Sequence, residues 1–162
     1  MNKTWQPISF LLSSLLLALS LSTVHAESII DSPDRSKPEP VAYIEIFADA
    51  EGETHFRENS ISLTTKSYAP PAIPLTVSNP QEARAVAFLS VPPGWIGDWH
   101  PTPVKQFIFI LSGNTEVEVS DGEIRQFGEG DIVLAADTTG KGHITRTVGS
   151  SKAVLAAVPL AK

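Results

Sequence analysis

The chain has 162 residues, 42% of them hydrophobic, with a formal net charge of −6 at pH 7 and no cysteine. The acidic balance, with Lys and Arg nowhere clustered, argues against nucleic acid and anionic membrane surfaces as partners. Without cysteine there is no disulfide, no thiol nucleophile and no lipid-modified cysteine, so burial alone must hold the core.

Met1–Ala26 reads apart from the fold. Lys3 is its only charge, Ile8–Leu21 is apolar with interspersed serines, and Val24-His25-Ala26 precedes Glu27. This is the three-part pattern of a cleavable signal peptide, and it predicts cleavage after Ala26, a periplasmic or secreted product and no membrane association once cleaved. An uncleaved anchor is the rival, but the apolar run is short of the roughly 20 residues that span a bilayer. Glu27–Pro40, with Pro33, Pro38 and Pro40 among charges, reads as a flexible arm. Residues 41–162 remain as one domain.

In that domain strand follows turn. Val41–Phe47 has strand composition, Asp49–Gly52 a turn, and Thr54–Phe56 and Ser60–Thr64 are two short strands. Ser67–Pro80 holds four prolines, so it is expected to cross as a loop or run along an edge. Strands are then expected at Ala85–Val91, Lys105–Leu111, Thr115–Val119, Glu123–Phe127, Asp131–Ala135, His143–Val148 and Ala153–Val158. Asp121-Gly122 marks a tight hairpin, because both residues tolerate positive φ. No stretch outside the signal peptide has a helical period. Turn signals recurring every 8–12 residues or so favour an all-β sandwich or barrel.

Alternation orients two strands. In Thr115–Val119 the valines face one way and Glu116 and Glu118 the other, which predicts a wet outer face. If Gln106 points inward, Ile108 and Ile110 follow it, and Phe107, Phe109 and Leu111 point outward. Three large apolar side chains there need a cover, either the segment Val41–Leu63 or a second copy in a homodimer, and all three are expected to be buried.

Two stretches carry the chemistry. One runs from Gly94 through Trp95, Trp99 and His100 to Thr102, Gln106 and Gly113; the other runs through Gly128-Glu-Gly-Asp131 and Asp137 to Gly140-Lys-Gly-His143. The first resembles the first motif of the cupin superfamily in every spacing: glycine, five residues, His100, then Thr102 in place of a second histidine, Gln106 in place of a glutamate, and six further residues to Gly113. The second is similar to the closing part of the second motif, without its proline and with Thr147 at its final asparagine. The resemblance covers about Arg84–Val158. It implies an all-β, cupin-like antiparallel barrel or jelly roll with a site in its mouth.

The resemblance also implies a divalent metal (iron, manganese, zinc, nickel or copper) held by His100 and His143, with Gln106 as a neutral oxygen donor. Thr102 is a poor ligand. Losing the carboxylate thins the site and should weaken it for a dication. Trp95, Asp98, Trp99, Thr102, Ile108 and Thr145 are the expected walls of a small-molecule pocket, although the tryptophans could simply close the barrel. Asp98 and Asp137 read as turn-capping aspartates, either of which could orient a histidine through its other nitrogen. His55 reads as an exposed strand histidine and Lys141 as solvated; Gly140-Lys141-Gly142 lacks the spacing of a phosphate loop. Three functions stay open: a metal-dependent enzyme, a metal-free isomerase or epimerase with histidine as general base, and a binding module that captures a small ligand without turning it over. No substrate is named by the sequence.

Overall fold

The computed structural model describes residues 38–161, so the expected signal peptide and most of the expected arm, residues 27–37, lie outside the described residues. Among the described residues there are eleven strands and no helix: β1 (Val41–Ala48), β2 (Thr54–Ile61), β3 (Thr64–Lys66), β4 (Leu75–Val77), β5 (Ala87–Val91), β6 (Gln106–Ser112), β7 (Asn114–Val119), β8 (Ile124–Phe127), β9 (Ile132–Ala135), β10 (His143–Val148) and β11 (Ala153–Pro159). A six-stranded sheet, β2-β1-β9-β6-β11-β5, packs on a three-stranded sheet, β10-β7-β8, and β3-β4 forms a separate ribbon. Ile46, Ile110, Val133 and Leu155 from the first sheet meet Val117, Val119 and Phe127 from the second in one core. The all-β fold is what strand and turn spacing predicted, and the jelly roll is what the motif resemblance implied.

The pleat explains β7. Thr115, Val117 and Val119 are buried, while Glu116 and Glu118 stand outside and pair with Arg146 on the neighbouring β10. Asp121-Gly122 turns β7 into β8, with Gly122 at φ 93°, which only glycine adopts freely.

Four features differ from the sequence reading. Thr54–Phe56 and Ser60–Thr64 are not two strands: β2 runs unbroken to Ile61, because its polar middle finds a partner on β1, where Glu45 accepts from Arg57 and Asn59, both at 2.7 Å. The proline-rich Ser67–Pro80 is not all loop, since Leu75–Val77 folds back on Thr64–Lys66. The barrel is not wholly antiparallel. β1 meets β9 in parallel, a pairing that a long chain separation allows and a hairpin would forbid. Finally, only part of the outward row on β6 is covered. Phe107 is buried, with Tyr43 edge-on at 5.6 Å and Phe109 at 6.0 Å, but Leu111 is 43% exposed. β9 accompanies β6 only from Gln106 to Phe109, and β11 bulges at Val154/Leu155, so nothing reaches over Leu111. The N-terminal strands extend the sheet sideways beyond β9 rather than lying across this face.

Candidate functional site

Between the two sheets lies a cavity of about 180 Å³. Gln106 and Ile108 reach it from β6, His143 and Thr145 from β10, and His100, Trp95 and Thr102 from the connection between β5 and β6. Its remaining lining is almost entirely aliphatic or aromatic, and no Lys, Arg, Asp or Glu among the described residues lines it.

The histidines are brought together by the backbone. His100 and His143 form an isolated antiparallel bridge, each N–H donating to the other's carbonyl at 3.1 Å. Directly opposed residues put their side chains on the same face, and the two imidazole centroids are 5.0 Å apart. Gly142 makes this approach possible. It has φ 76°, and a Cβ there would stand 2.2 Å from the carbonyl carbon and oxygen of His100. Any side chain would wedge the two segments apart.

Each ring is then oriented through Nδ1. The exposed His100 donates from Nδ1 to the main-chain oxygen of Asp98 at 2.7 Å. His143, buried, donates from Nδ1 to Asp137 Oδ2 at 2.7 Å. Asp137 is fully buried and its other oxygen accepts from Thr102 Oγ1 at 2.6 Å, while Thr102 N donates to Asp137 O at 3.0 Å. In a neutral imidazole a protonated Nδ1 leaves Nε2 with a lone pair. No buried side-chain nitrogen or oxygen among the described residues lacks a partner. His143 Nε2, unpaired, therefore opens onto the cavity that its ring lines. The Gln106 amide likewise has no protein partner among the described residues and faces the same space.

Of the wall residues expected from sequence, Trp95, Thr102, Ile108 and Thr145 line the cavity, but Asp98 and Trp99 do not. Between the bridges Ile96↔Arg146 and His100↔His143, the residues Gly97, Asp98 and Trp99 oppose only Ile144 and Thr145. The extra residue makes a bulge, which turns Trp99 out to 46% exposure and leaves Asp98 contributing its carbonyl alone. Asp137 is a buried brace rather than a turn cap. Thr102, at the position of a lost ligand, is spent on holding it.

Three further expectations are refined. Lys141 is not simply solvated: it pairs with Glu53, holding that carboxyl below its ordinary range, and its N–H donates to Gly52 O at 2.9 Å. His55 stays outside the cavity, clamped between Asp49 Oδ2 at 3.0 Å and Asp121 Oδ2 at 2.6 Å. Those two carboxylates, Asp49 first, raise its pKa above the ordinary value of 6.5. Thr147, unassigned by sequence beyond its motif position, pins the approach to the cavity. Its Oγ1 accepts from Trp95 N at 2.9 Å and donates to Pro92 O at 2.7 Å. Two threonines at motif positions, each following one of the histidines, were the available signal for such bracing.

Residues 87–159 match the family model described as cupin domain. Residues 87–159 of this barrel are a cupin domain. Among solved structures, a Cupin 2 conserved barrel domain protein from Salinispora arenicola is 19% identical, with 62% of this chain and 76% of that one covered at a TM-score of 0.42. The Schizosaccharomyces pombe Cnp3 cupin domain is 10% identical over 79% of this chain and 88% of that one, also at 0.42. Drosophila melanogaster CENP-C, in a structure bound to CAL1, is 14% identical over 60% and 80%, at 0.39. Overlaps this loose say nothing of function. Among curated proteins none matches the chain.

As a metal centre the cupin site is sparse. Among the described residues no group of three or more His, Cys, Asp or Glu is placed to surround one ion. What this cavity offers is two imidazole nitrogens and one neutral amide. Imidazole suits zinc, copper, iron and nickel, and three protein ligands with an open position is the usual form of a reactive site, so the donor set fits a borderline dication better than a hard one.

Proposed function

We propose that this cupin domain is an exported small-molecule-binding protein whose cavity holds a divalent metal through Nε2 of His100 and His143, with the Gln106 amide oxygen as third ligand. The observation that supports the reading is the pair of Nδ1 anchors, Asp98 O and Asp137 Oδ2, which leave the Nε2 lone pair free on two rings that line one cavity. A ligating histidine is commonly fixed in this way by a carboxylate or carbonyl on its far nitrogen. When bound, the metal would supply Lewis acidity to a small ligand entering beside Trp95. Calorimetric titration with Zn(II) should find one ion per chain in the wild type and much weaker binding in His100→Ala or His143→Ala. No binding at micromolar metal would end this reading.

A second reading is favoured by one contact. A histidine whose Nδ1–H is held by a buried carboxylate is also arranged as a general base, so His143 with Asp137 suits metal-free proton abstraction from a bound ligand. Activity or binding that survives chelator would support it. Export is proposed on the first 26 residues alone. Association with a second copy is proposed on the open edge of β5, where Val86 and Phe88 are 57% and 72% exposed.

A further inference from the structure

We infer that the cavity takes a monocyclic molecule of phenol size, carrying one neutral hydroxyl that sits between His100, His143 and Gln106. This rests on the reading of the cavity as a small-molecule site, but not on the metal.

Size comes first. An apolar protein cavity of about 150 Å³ accepts benzene, and this one is about 180 Å³, which leaves room for a ring and one or two further heavy atoms. A hexose or nucleotide exceeds it. Lining comes second. Ile108, Ile110, Val117, Phe127, Val133 and Leu155 surround the body of the cavity with carbon. A polyol there would bury hydroxyls without partners, at a cost that a ring does not meet.

The head group is set by the polar residues. With Nδ1 of each ring donating to a fixed acceptor, both Nε2 atoms accept, and the ligand must therefore donate. The Gln106 amide can return a donor to the ligand's oxygen. A hydroxyl meets both kinds of demand, giving its one proton to one Nε2 and taking the Gln106 N–H on its oxygen. A carboxylate could only accept from Gln106: it has no proton to give the imidazoles, no Lys or Arg lines the cavity to neutralise it, and the buried Asp137 carboxylate stands directly behind His143. Toluene would fill the same space but leave the imidazoles unmet. Trp95, 40% exposed and lining the cavity, stands where a flat ring would pass.

The test is calorimetry and saturation-transfer NMR on the intact protein in chelator, with phenol, toluene, benzoate and glucose as probes. Phenol should bind most tightly, toluene about tenfold more weakly for want of the hydrogen bond, and benzoate and glucose not at all at millimolar concentration. The double variant His100→Ala/His143→Ala, which removes both acceptors, should bring phenol down to the level of toluene. Leu89→Trp, on the half-open strand β5 and pointing into the cavity, should exclude both rings. Benzoate or glucose matching phenol would overturn the inference, and so would phenol affinity unchanged in both variants. Because the probes are read in chelator, phenol binding with no Zn(II) binding sinks the metal reading alone. Zn(II) binding with no ring bound sinks this inference alone.

Discussion

Removing the Asp137 carboxylate should damage the site more than removing its charge. Asp137 is fully buried and accepts from Thr102 Oγ1 and His143 Nδ1. In Asp137→Ala both donors are left in the interior without partners, at about 1–3 kcal/mol each. The expected loss is about 4 kcal/mol of the ~5–15 that hold such a domain together, so the variant should still fold. Nothing then fixes the His143 tautomer, and metal affinity should fall about 10–100-fold. Asp137→Asn should be much milder. Its amide can keep oxygen towards His143 and turn nitrogen towards Thr102, because a hydroxyl also accepts. Urea unfolding gives the stability difference, nitrogen-15 NMR of the imidazoles gives the tautomer, and Zn(II) titration gives the affinity. If Asp137→Asn proves as harmful as Asp137→Ala, the negative charge and not the acceptor pattern is what His143 needs, and the general-base reading gains what the metal reading loses. If neither variant changes tautomer or affinity, the bracing argument is wrong.

Gly142→Ala should cost at least about 3 kcal/mol in urea unfolding, from the positive φ and the broken His100–His143 bridge, whereas an alanine at Gly122, where no atom lies within 4 Å, should lose only the backbone term. His55 has a raised pKa, so its bonds to Asp49 and Asp121 stabilise fully below about pH 6.5 and are lost as pH rises through the higher folded value. Asp49 is lowered by the same bond, so its share is lost instead as pH falls through that lowered value; melting temperatures of His55→Gln should accordingly converge with wild type on the alkaline side and diverge near neutrality. Phe88→Glu should shift the mass read by light scattering from dimer to monomer, and a wild type that is already monomeric contradicts the second-copy proposal. N-terminal sequencing of exported protein should start at Glu27, and an intact Met1 contradicts the signal reading.

Much of the barrel could be read from local rules. Val117 and Val119 against Glu116 and Glu118, and the Asp121-Gly122 turn, depend only on residues adjacent in sequence. So does the inward parity of Gln106, Ile108 and Ile110. What escaped depends on tertiary register. Asp98 and Asp137 look alike in sequence, yet a bulge turns one carboxylate away and the barrel closes over the other. Leu111 looked as coverable as Phe107 until the short run of β9 left it bare. Thr102 looked like a weakened ligand, but its proximity to Asp137, 35 residues on, exists only in the folded chain.

The central claim is that His100 and His143 present Nε2 to a single point in the cavity. Electron paramagnetic resonance of the protein loaded with one equivalent of Cu(II) tests it most directly. The account predicts superhyperfine coupling to two imidazole nitrogens, reduced to one in His100→Ala and in His143→Ala alike. A spectrum showing no imidazole nitrogen, or one that neither substitution changes, would contradict it.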